Sequence, residues 1–502
     1  MLITAFDHSV TRCADRTAVI FNGQTHSFAA LGAAVERLRG ALAARGISKG
    51  DRVALLLPNC PHFVIAHLAV LGLGAVSVPI HAQSKAREIT WQLEDSEASA
   101  IIAWSHLAFD AEKAVQQSES LRFRAYVGED IPAGADSLVD MIAQGSPLPS
   151  DSSLTGDDLA VILYTSGISG HARGVELTHG NLTSHASELT SMLRIHETDR
   201  FLGLLPFTSA AGLCMAVHLP LSNGGLLDIQ SRFHPGDALK SLHEKQITVL
   251  VASPSGYAFM AGFPSPEKYD LSQVRYAICC DAKLTDSVAR DVEEKLKLRV
   301  MEAYGSTETC GVIALNLFPS LLPRGSVGQP IGDHEIQITD ESGEPAPAES
   351  IGQISVRGPA VMRGYRNRPD RTRQALRDGW FYTGDRGSLD YQSNLFVCGH
   401  SSELIVKGGF TICCREVEEI VEGLPHVQEV AVVGIPDPVY GEEIKACVVL
   451  KEGASIGPSE VIEYVKERAA VYKCPKVVKL YKELPRTPGG KIIRSQLKDE
   501  KP

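Results

Sequence analysis

The chain has 502 residues, enough for several domains of about 100–200 residues each. It is 44% hydrophobic and 22% charged, which is ordinary for a globular protein and excludes a fibrous or largely disordered chain. Asp and Glu number 60 against 49 Lys and Arg, so the net charge is -11. This balance excludes an overall basic field for nucleic acid or an anionic membrane surface.

The sequence predicts a cytoplasmic protein. Its eleven cysteines include no Cys-x-x-Cys pair, so their spacing predicts neither a zinc ribbon nor a disulfide framework, and an odd count suits a reducing compartment. Neither end of the sequence carries a recognisable targeting signal. The apolar run 63–80 is interrupted by His67, Gly72, Gly74 and Pro79, which predicts a buried helix ending near Gly72 or Gly74 rather than a membrane span.

Alternating helix and strand patterns predict a layered α/β fold. Leu31, Val35, Leu38 and Leu42 recur at helical spacing, and a short apolar run follows at 53–57. Further apolar runs at 75–78, 101–104 and 159–164 continue the alternation. Parallel sheets of this kind bind ligands beyond the carboxyl ends of their strands.

The predicted secondary structure changes in character near the end of the sequence. After Gly399 the predicted elements are short and of α+β character, over about a hundred residues. We therefore expect a large N-terminal α/β domain of several subdomains over 1–398, and a small C-terminal domain over 399–502.

A glycine-rich loop follows one of the predicted buried strands. Residues 164–174 read Tyr-Thr-Ser-Gly-Ile-Ser-Gly-His-Ala-Arg-Gly. Glycines let backbone N–H groups approach a phosphate, and hydroxyls and Arg173 add donors, although surface turns also use Gly and Ser. The loop is not a Walker A loop, because Gly174 leads into an extended segment and only later into a helix. The pattern favours phosphate binding, with a flexible turn as the alternative.

Three further segments each place one charged group after a turn. Glu308 follows Ala-Tyr-Gly-Ser-Thr and is suited to hold Mg²⁺ beside a triphosphate. Asp385 ends Trp-Phe-Tyr-Thr-Gly-Asp, where it can accept hydrogen bonds from ribose hydroxyls, and Lys491 ends Leu-Pro-Arg-Thr-Pro-Gly-Gly-Lys. Taken singly, the three residues have ordinary interpretations as an exposed glutamate, an aspartate that caps its own turn and a solvated terminal lysine.

Together and in this order, the four segments resemble the motifs of the adenylate-forming superfamily of acyl-CoA synthetases, luciferases and peptide-synthetase adenylation domains. The family loop reads Tyr-Thr-Ser-Gly-Thr-Thr-Gly-x-Pro-Lys-Gly, and the family's C-terminal motif reads Leu-Pro-x-Thr-x-x-Gly-Lys. The resemblance covers nearly the whole chain and is closest to acyl-CoA ligases. It implies a mobile C-terminal lid domain that rotates between two half-reactions about a hinge near Gly399.

The resemblance also implies roles for individual residues. The implied catalytic residues are Lys491, Glu308 and Thr165, with Glu308 also the Mg²⁺ ligand. The implied nucleotide-binding residues are Thr165, Ser166, Gly167, Ser169, Gly170, Arg173, Asp281, Ala282, Ala303, Tyr304, Gly305, Ser306, Thr307, Asp385, His400 and Lys491. The implied acyl-binding residues are Ser209, Gly212, Ser255, Cys280 and Asp281. The implied thiol-side residues are Lys407, Gly408 and Gly409.

The sequence departs from the family pattern around the nucleotide. His400 stands where family members have an arginine that reaches the ribose, so we expect nucleotide binding or adenylation to be weakened by about one to two orders of magnitude. Arg173 replaces the lysine of the family loop. Asp281 replaces a small apolar residue, and it either faces solvent or pairs with a polar group of the substrate or the adenine amino group.

The resulting hypothesis is an ATP-dependent acid–thiol ligase. A carboxylic acid and ATP give acyl-AMP and pyrophosphate, Mg²⁺ assists, and CoA takes the acyl group as co-substrate. Three alternatives stay open: the thiol belongs to a phosphopantetheinyl carrier protein, the protein forms thioester only from preformed acyl-AMP, or it is a nucleotide-binding pseudoenzyme. The changes at Arg173, Cys280, Asp281 and His400 favour the second of these alternatives.

Overall fold

A computed structural model of the chain describes residues 1–165, 172–317, 323, 325–340, 343–400, 404–407, 410–438, 440–469, 473–486 and 492–499. The chain forms two compact units. The larger contains Met1–Glu335 and Val356–Phe381, and the smaller contains Ile336–Ser355 and Tyr382–Pro502. The predicted α/β architecture with a large N-terminal and a small C-terminal body is confirmed.

The helices and strands of the described residues are numbered in chain order. The helices are α1 (Leu2–Arg12), α2 (Phe28–Ala44), α3 (Pro61–Gly72), α4 (Ala86–Ser96), α5 (Ala108–Val115), α6 (Leu138–Gln144), α7 (His179–Leu193), α8 (Leu219–Asn223), α9 (Pro235–Glu244), α10 (Pro254–Ala261), α11 (Asp286–Asp291), α12 (Pro369–Ala375), α13 (Cys414–Glu422), α14 (Pro458–Lys466) and α15 (Arg494–Asp499). The strands are β1 (Thr17–Phe21), β2 (Gln24–Ser27), β3 (Arg52–Leu56), β4 (Val76–Pro79), β5 (Ala100–Trp104), β6 (Phe123–Val127), β7 (Asp136–Ser137), β8 (Leu159–Thr165), β9 (Arg173–Thr178), β10 (Arg200–Gly203), β11 (Leu226–Ile229), β12 (Val249–Ala252), β13 (Tyr276–Cys279), β14 (Val300–Tyr304), β15 (Ala314–Leu315), β16 (Gln329–Pro330), β17 (Glu335–Thr339), β18 (Gly352–Arg357), β19 (Gly364–Tyr365), β20 (Leu376–Arg377), β21 (Trp380–Leu389), β22 (Leu395–His400), β23 (Leu404–Lys407), β24 (Phe410–Cys413), β25 (Val427–Asp437), β26 (Gly441–Leu450) and β27 (Val477–Tyr481).

Two large sheets organise the larger unit. In the first, sheet A, the strand order is β16-β15-β14-β13-β12-β10-β11-β1-β2. In the second, sheet B, it is β19-β9-β8-β4-β3-β5-β6-β7. The central strands of each sheet are parallel, so their carboxyl ends share one edge, where ligands bind in such folds. Along that edge of sheet A the strands follow one another from β14 to β11, and in sheet B from β8 to β5.

The local sequence explains two helices that support the sheets. The helix α2 begins after Ser27, whose Oγ accepts a hydrogen bond from the Ala30 backbone N–H at 3.2 Å, and its helically spaced leucines are buried. The helix α3 begins at Pro61, a residue type that suits the first helical turn, and is apolar on nearly every side because it is buried. It ends at Gly72, as predicted. None of the helices in the described part of the chain has the length and apolarity that crossing a bilayer requires.

The smaller unit contains a sheet of order β24-β23-β26-β25 in which β27 pairs with β26. The helices α13 and α14 contribute Val417, Val421, Val461 and Val465 to its buried apolar core. A further sheet has the strand order β17-β18-β21-β20, with β22 paired to β21. The backbone crosses from one unit to the other within its strands β17, β18 and β21. All eleven cysteines are free thiols.

Candidate functional site

The strands β8 and β9 flank the glycine-rich loop. Thr165, the last residue of β8, lies opposite Arg173, the first residue of β9, in the antiparallel register. The predicted phosphate-binding residues Ser166, Gly167, Ser169 and Gly170 lie outside the described residues. The two ends of the loop are therefore fixed side by side at the carboxyl end of β8.

A second group of residues surrounds the Glu308 carboxylate. The Tyr365 hydroxyl donates a hydrogen bond to Glu308 Oε1 at 2.8 Å, and the Met362 N–H donates to the Glu308 backbone oxygen at 2.8 Å. The Arg173 guanidinium lies 5.4 Å from the Tyr365 ring centroid. Burial, followed by the nearby Glu308 carboxylate, raises the pKa of the Tyr365 hydroxyl. The phenol therefore stays protonated and remains a donor at neutral pH.

The strand β14 carries the polar turn that precedes Glu308. Ala303 and Tyr304 end the strand, and Gly305, Ser306 and Thr307 form the turn beyond its carboxyl end. The Ser306 Oγ is buried and makes no hydrogen bond within the described residues. It is a hydroxyl available to a ligand at this edge of sheet A.

The neighbouring strand β13 is followed by Cys280, Asp281 and Ala282. Cys280 is buried, and desolvation raises the pKa of its thiol. Asp281 has a φ of +73°, a left-handed conformation that is uncommon for residues other than glycine. Its side chain is open to solvent, but enough protein surrounds it that desolvation raises the pKa of its carboxyl group.

The other three predicted acyl-binding residues follow β10 and β12. Ser209 Oγ donates to the Pro206 carbonyl at 3.0 Å and accepts from the Gly212 N–H at 3.0 Å, so it shapes the turn that precedes the π-helical segment Gly212–His218. A Cβ atom at Gly212 would lie 2.0 Å from the Pro206 oxygen, which requires glycine there. Ser255 lies in the first turn of α10, where its hydroxyl is 2.9 Å from the Ser253 hydroxyl.

In the smaller unit, Asp385 and His400 lie directly opposite each other in the register of β21 and β22. The Asp385 backbone N–H donates to Thr383 Oγ1 at 3.0 Å. Gly399 in β22 has a φ of +127°, a conformation that favours glycine, and the hinge there stays a prediction, as does the domain boundary at 398/399.

The predicted thiol-side residue Lys407 forms an ion pair with Glu443, which is 4% exposed. Its ammonium group is thus held within the smaller unit. Gly408, Gly409 and Lys491 lie outside the described residues, as does the side chain of His400.

Tyr365, which was not predicted from the sequence, links the predicted residues Arg173 and Glu308, and Thr165 lies opposite Arg173 in the strand register. Tyr365 pairs with Val175 as part of β19, and this pairing places its ring beside Arg173. No spacing pattern marks Tyr365, because its partner Glu308 lies 57 residues away in the chain. The assigned roles of all the predicted site residues stay predictions.

Comparison with known proteins gives matches along almost the entire chain. The sequence model of the AMP-binding enzyme family matches residues 6–366, and that of the AMP-binding enzyme C-terminal domain matches residues 416–491. A long-chain-fatty-acid–CoA ligase of Bacillus subtilis is 31% identical over 98% of this chain and 93% of its own length. A feruloyl-CoA synthase of Amycolatopsis is 34% identical over 96% of this chain and 95% of its own length. The crystal structure of ATP-bound MatB from Rhodopseudomonas palustris superposes with a TM-score of 0.90 at 29% identity, covering 99% of both chains.

Proposed function

The chain belongs to the AMP-binding enzyme family, close to acyl-CoA ligases, and from this premise we propose the roles of individual residues in an ATP-dependent acid–CoA ligation. In the first half-reaction a carboxylate oxygen attacks the α-phosphorus of ATP, giving acyl-AMP and pyrophosphate. In the second the CoA thiol attacks the acyl carbon, giving the thioester and AMP. The substrates are a small-molecule carboxylic acid, ATP and CoA.

The observation that carries the assignment of residues is the group formed by Glu308, Tyr365 and Arg173 beside Thr165. The first half-reaction brings a carboxylate to a highly anionic nucleotide, so its barrier is largely electrostatic. Two unit charges 4 Å apart interact by about 4 kcal/mol at an effective dielectric constant near 20. Arg173 adds a fixed cation, and Thr165 and Ser306 add hydroxyl donors, where phosphate charge has to be balanced.

Glu308 fits the role of a Mg²⁺ ligand. The Tyr365 hydroxyl donates a hydrogen bond to Glu308 Oε1, and Glu308 Oε2 makes no hydrogen bond with any described residue. The described residues contain no group of three or more His, Cys, Asp or Glu side chains that could bind a metal. This suits Mg²⁺, which proteins often bind through one or two carboxylates together with substrate phosphates. When bound, Mg²⁺ would supply positive charge that neutralises phosphate oxygens.

The smaller unit supplies the remaining groups in this proposal. Asp385 accepts hydrogen bonds from the ribose hydroxyls, with His400 opposite it as a further donor. Lys491 approaches the α-phosphate during adenylation. The C-terminal domain then rotates about a hinge near Gly399. This rotation replaces the surface that carries Lys491 by the surface that carries Lys407, and the thiol enters beside that second surface.

Acid-dependent pyrophosphate release tests the proposed function. Purified protein is incubated with ATP, Mg²⁺ and a panel of aliphatic, aromatic and dicarboxylic acids, with and without CoA. We expect pyrophosphate release that requires an acid, and AMP and thioester in equal amounts once CoA is added. Release of ADP and phosphate, or pyrophosphate release that no acid increases, would contradict the proposal. Thioester formed only from synthetic acyl-AMP would assign the protein to the second half-reaction alone.

A further inference from the structure

The helix α4 contacts the chain where the glycine-rich loop ends. The Trp91 indole N–H donates a hydrogen bond to the Ala172 carbonyl at 3.3 Å. That carbonyl and the backbone N–H of Arg173 belong to one planar peptide unit, so the hydrogen bond helps to fix the orientation of the backbone from which Arg173 extends. Arg173 in turn lies against Tyr365, with its guanidinium 5.4 Å from the ring centroid. Trp91 therefore connects α4 to the group of residues around Glu308.

The same helix contacts the chain where the loop begins. The Tyr164 hydroxyl donates to Asp95 Oδ2 at 2.9 Å, and Tyr164 directly precedes Thr165. The Tyr164 ring also packs closely on Gly174, opposite it in the antiparallel register, where a Cβ atom would lie 3.2 Å from the tyrosine Cζ. Burial, followed by the Asp95 carboxylate, raises the pKa of the Tyr164 hydroxyl, so the phenol stays protonated and remains a donor at neutral pH. Asp95 therefore holds the start of the loop through Tyr164.

A single anchored helix supplies both contacts. Trp91 and Asp95 are four residues apart, so they lie on neighbouring turns of one helix face. Ile89 and Leu93 of the same helix are fully buried, in an apolar cluster that also contains Ile162 of β8. Because α4 is anchored on the strand that precedes the loop, its two side chains hold the two ends of the loop at a fixed separation.

Both side chains also contact the segment that follows Tyr365. A guanidinium nitrogen of Arg368 lies 3.7 Å from Asp95 Oδ1, and the Arg368 Cζ lies 5.5 Å from the Trp91 ring centroid. Asn367 Nδ2 donates to the Asp95 backbone oxygen at 2.9 Å. Asp95 is 9% exposed, and a carboxylate with so little exposure requires donors and a cation such as these. The helix therefore holds in place both the ends of the loop and the segment that carries Tyr365.

We propose that Trp91 and Asp95 are positioning residues for phosphate binding: from one face of α4 they hold Thr165 and Arg173 in the arrangement that binds the phosphates of ATP. The proposal rests on the proposed function, and it assigns neither Trp91 nor Asp95 a contact with the nucleotide. Glycine loses more conformational freedom than any other residue when its backbone is fixed, so ordering a glycine-rich loop around a ligand costs affinity. Contacts that fix the ends of the loop before the ligand binds reduce that cost.

Nucleotide binding in the absence of an acid tests this proposal separately from the proposed reaction. The full chain and the variants Trp91→Phe, Asp95→Ala and Asp95→Asn are titrated with ATP and Mg²⁺, and with adenosine, which has no phosphates. We expect Trp91→Phe to weaken ATP binding by about three- to tenfold, since it removes one hydrogen bond to a neutral acceptor, and Asp95→Ala to weaken it by about ten- to thirtyfold. Asp95→Asn should restore most of the affinity, because its amide oxygen can still accept from Tyr164. The affinity for adenosine should be the same in all variants.

The matched control for Trp91→Phe is Trp380→Phe. Trp380 also lies against an arginine, with the Arg357 Cζ 4.7 Å from its ring centroid, but it belongs to β21, and its variant should bind ATP like the unmodified chain. Three results would overturn the proposal: unchanged ATP affinity in either Trp91→Phe or Asp95→Ala, an equal loss of affinity for ATP and adenosine, or an unmodified chain that binds no ATP at millimolar concentration. If Trp91-dependent ATP binding is found in a protein that releases no pyrophosphate with any acid, the proposed reaction fails and the positioning role stands.

Discussion

Among the residues that the structure describes, one side chain, that of Tyr365, hydrogen-bonds to the Glu308 carboxylate, and this makes Tyr365 a positioning residue. A carboxylate free to rotate would meet a metal ion or phosphate in many orientations, whereas the hydrogen bond from the Tyr365 hydroxyl fixes one oxygen at 2.8 Å. Because burial and Glu308 raise the pKa of the phenol, the hydroxyl stays protonated and remains a donor over the pH range in which enzymes work. Hydrogen bonds to charged groups contribute about 1.5–3 kcal/mol. A change of this size in the energy that holds Glu308 in position would alter the rate of the first half-reaction, whose barrier is largely electrostatic.

Tyr365→Phe tests this positioning role. We expect kcat/KM for acid-dependent pyrophosphate release to fall by about ten- to a hundredfold, since the lost hydrogen bond is to a charged group, and the Mg²⁺ concentration at half-maximal rate to rise. Thioester formation from synthetic acyl-AMP and CoA should change little. The measurements are initial rates of both half-reactions over a range of Mg²⁺ concentrations.

The chain offers a matched control for Tyr365→Phe. The Tyr126 hydroxyl donates to Glu112 Oε1 at 2.7 Å on β6, near the other edge of sheet B, so Tyr126→Phe removes the same kind of bond away from the candidate site. Its adenylation rate should equal that of the unmodified chain. If the two variants lost adenylation equally, the effect of Tyr365→Phe would be one of general stability.

His179 makes stability depend on pH. Its side chain is fully buried, neither ring nitrogen has a hydrogen-bond partner within the described residues, and desolvation lowers its pKa from 6.5 to about 4. As the pH falls below 6.5, the unfolded chain takes up a proton at this residue and the folded chain does not, so the free energy of unfolding decreases until the pH reaches about 4.

His179→Leu should therefore stabilise the protein more at pH 5 than at pH 8. At pH 5 we expect a gain of about 2 kcal/mol from the removed linkage, measured as the free energy of unfolding in urea at both pH values. His8→Leu, at an exposed position in α1, is the control and should show no comparable difference. A His179→Leu effect that is the same at both pH values would contradict the assignment.

At the scale of elements, the start of α7 links the candidate site to the rest of sheet B. Thr178 Oγ1 accepts from the Asn181 N–H at 3.2 Å, and Asn181 Oδ1 accepts from the Thr178 N–H at 2.8 Å. Asn181 Nδ2 also donates to the carbonyls of Pro359 and Val361 at 2.7 and 2.9 Å. One side chain thus caps a helix and holds the segment that leads to Met362 and Tyr365.

Asn181→Ala should destabilise the protein by about 3 kcal/mol, because it removes part of the helix cap and leaves two carbonyls without their donor. Ser27→Ala is the control, since it removes only the N-cap hydrogen bond of α2, and it should cost about 1 kcal/mol. Urea unfolding followed by circular dichroism gives both values. Equal losses in the two variants would mean that the contacts with 359–361 contribute nothing measurable.

The sequence was informative about elements wherever a local pattern determines them. Helical spacing from Leu31 to Leu42 and the apolar run at 53–57 correspond to α2 and β3, because burial of one face selects these periods. The helix predicted to follow the extended segment after Gly174 is α7, which begins at His179 because Thr178 supplies the cap. Tyr365 was not predicted, because its place beside Arg173 and Glu308 depends on strand pairing that only the folded sheets bring about.

At the scale of the whole molecule, each compact unit carries part of the predicted site. The group around Glu308 belongs to the larger unit, and Asp385 and His400 belong to the smaller. Motif order along the chain was enough to predict the family, because each motif is local in sequence. It could not reveal contacts within a unit such as that between Glu308 and Tyr365, since spacing alone does not specify which distant strands pair.

Lys491→Ala tests whether Lys491 acts in adenylation but not in thioester formation. Adenylation develops charge at the α-phosphate, and removing one group that stabilises such charge commonly lowers rates by about 10²–10³-fold. We expect a loss of this size in acid-dependent pyrophosphate release and less than about a threefold change in thioester formation from acyl-AMP and CoA, which needs no such cation. Lys498→Ala, in α15 of the same terminal segment, is the control and should leave both rates unchanged. If Lys491→Ala slowed both half-reactions equally, Lys491 would act on the fold of the smaller unit, and the proposed exchange of faces about Gly399 would lose its main support.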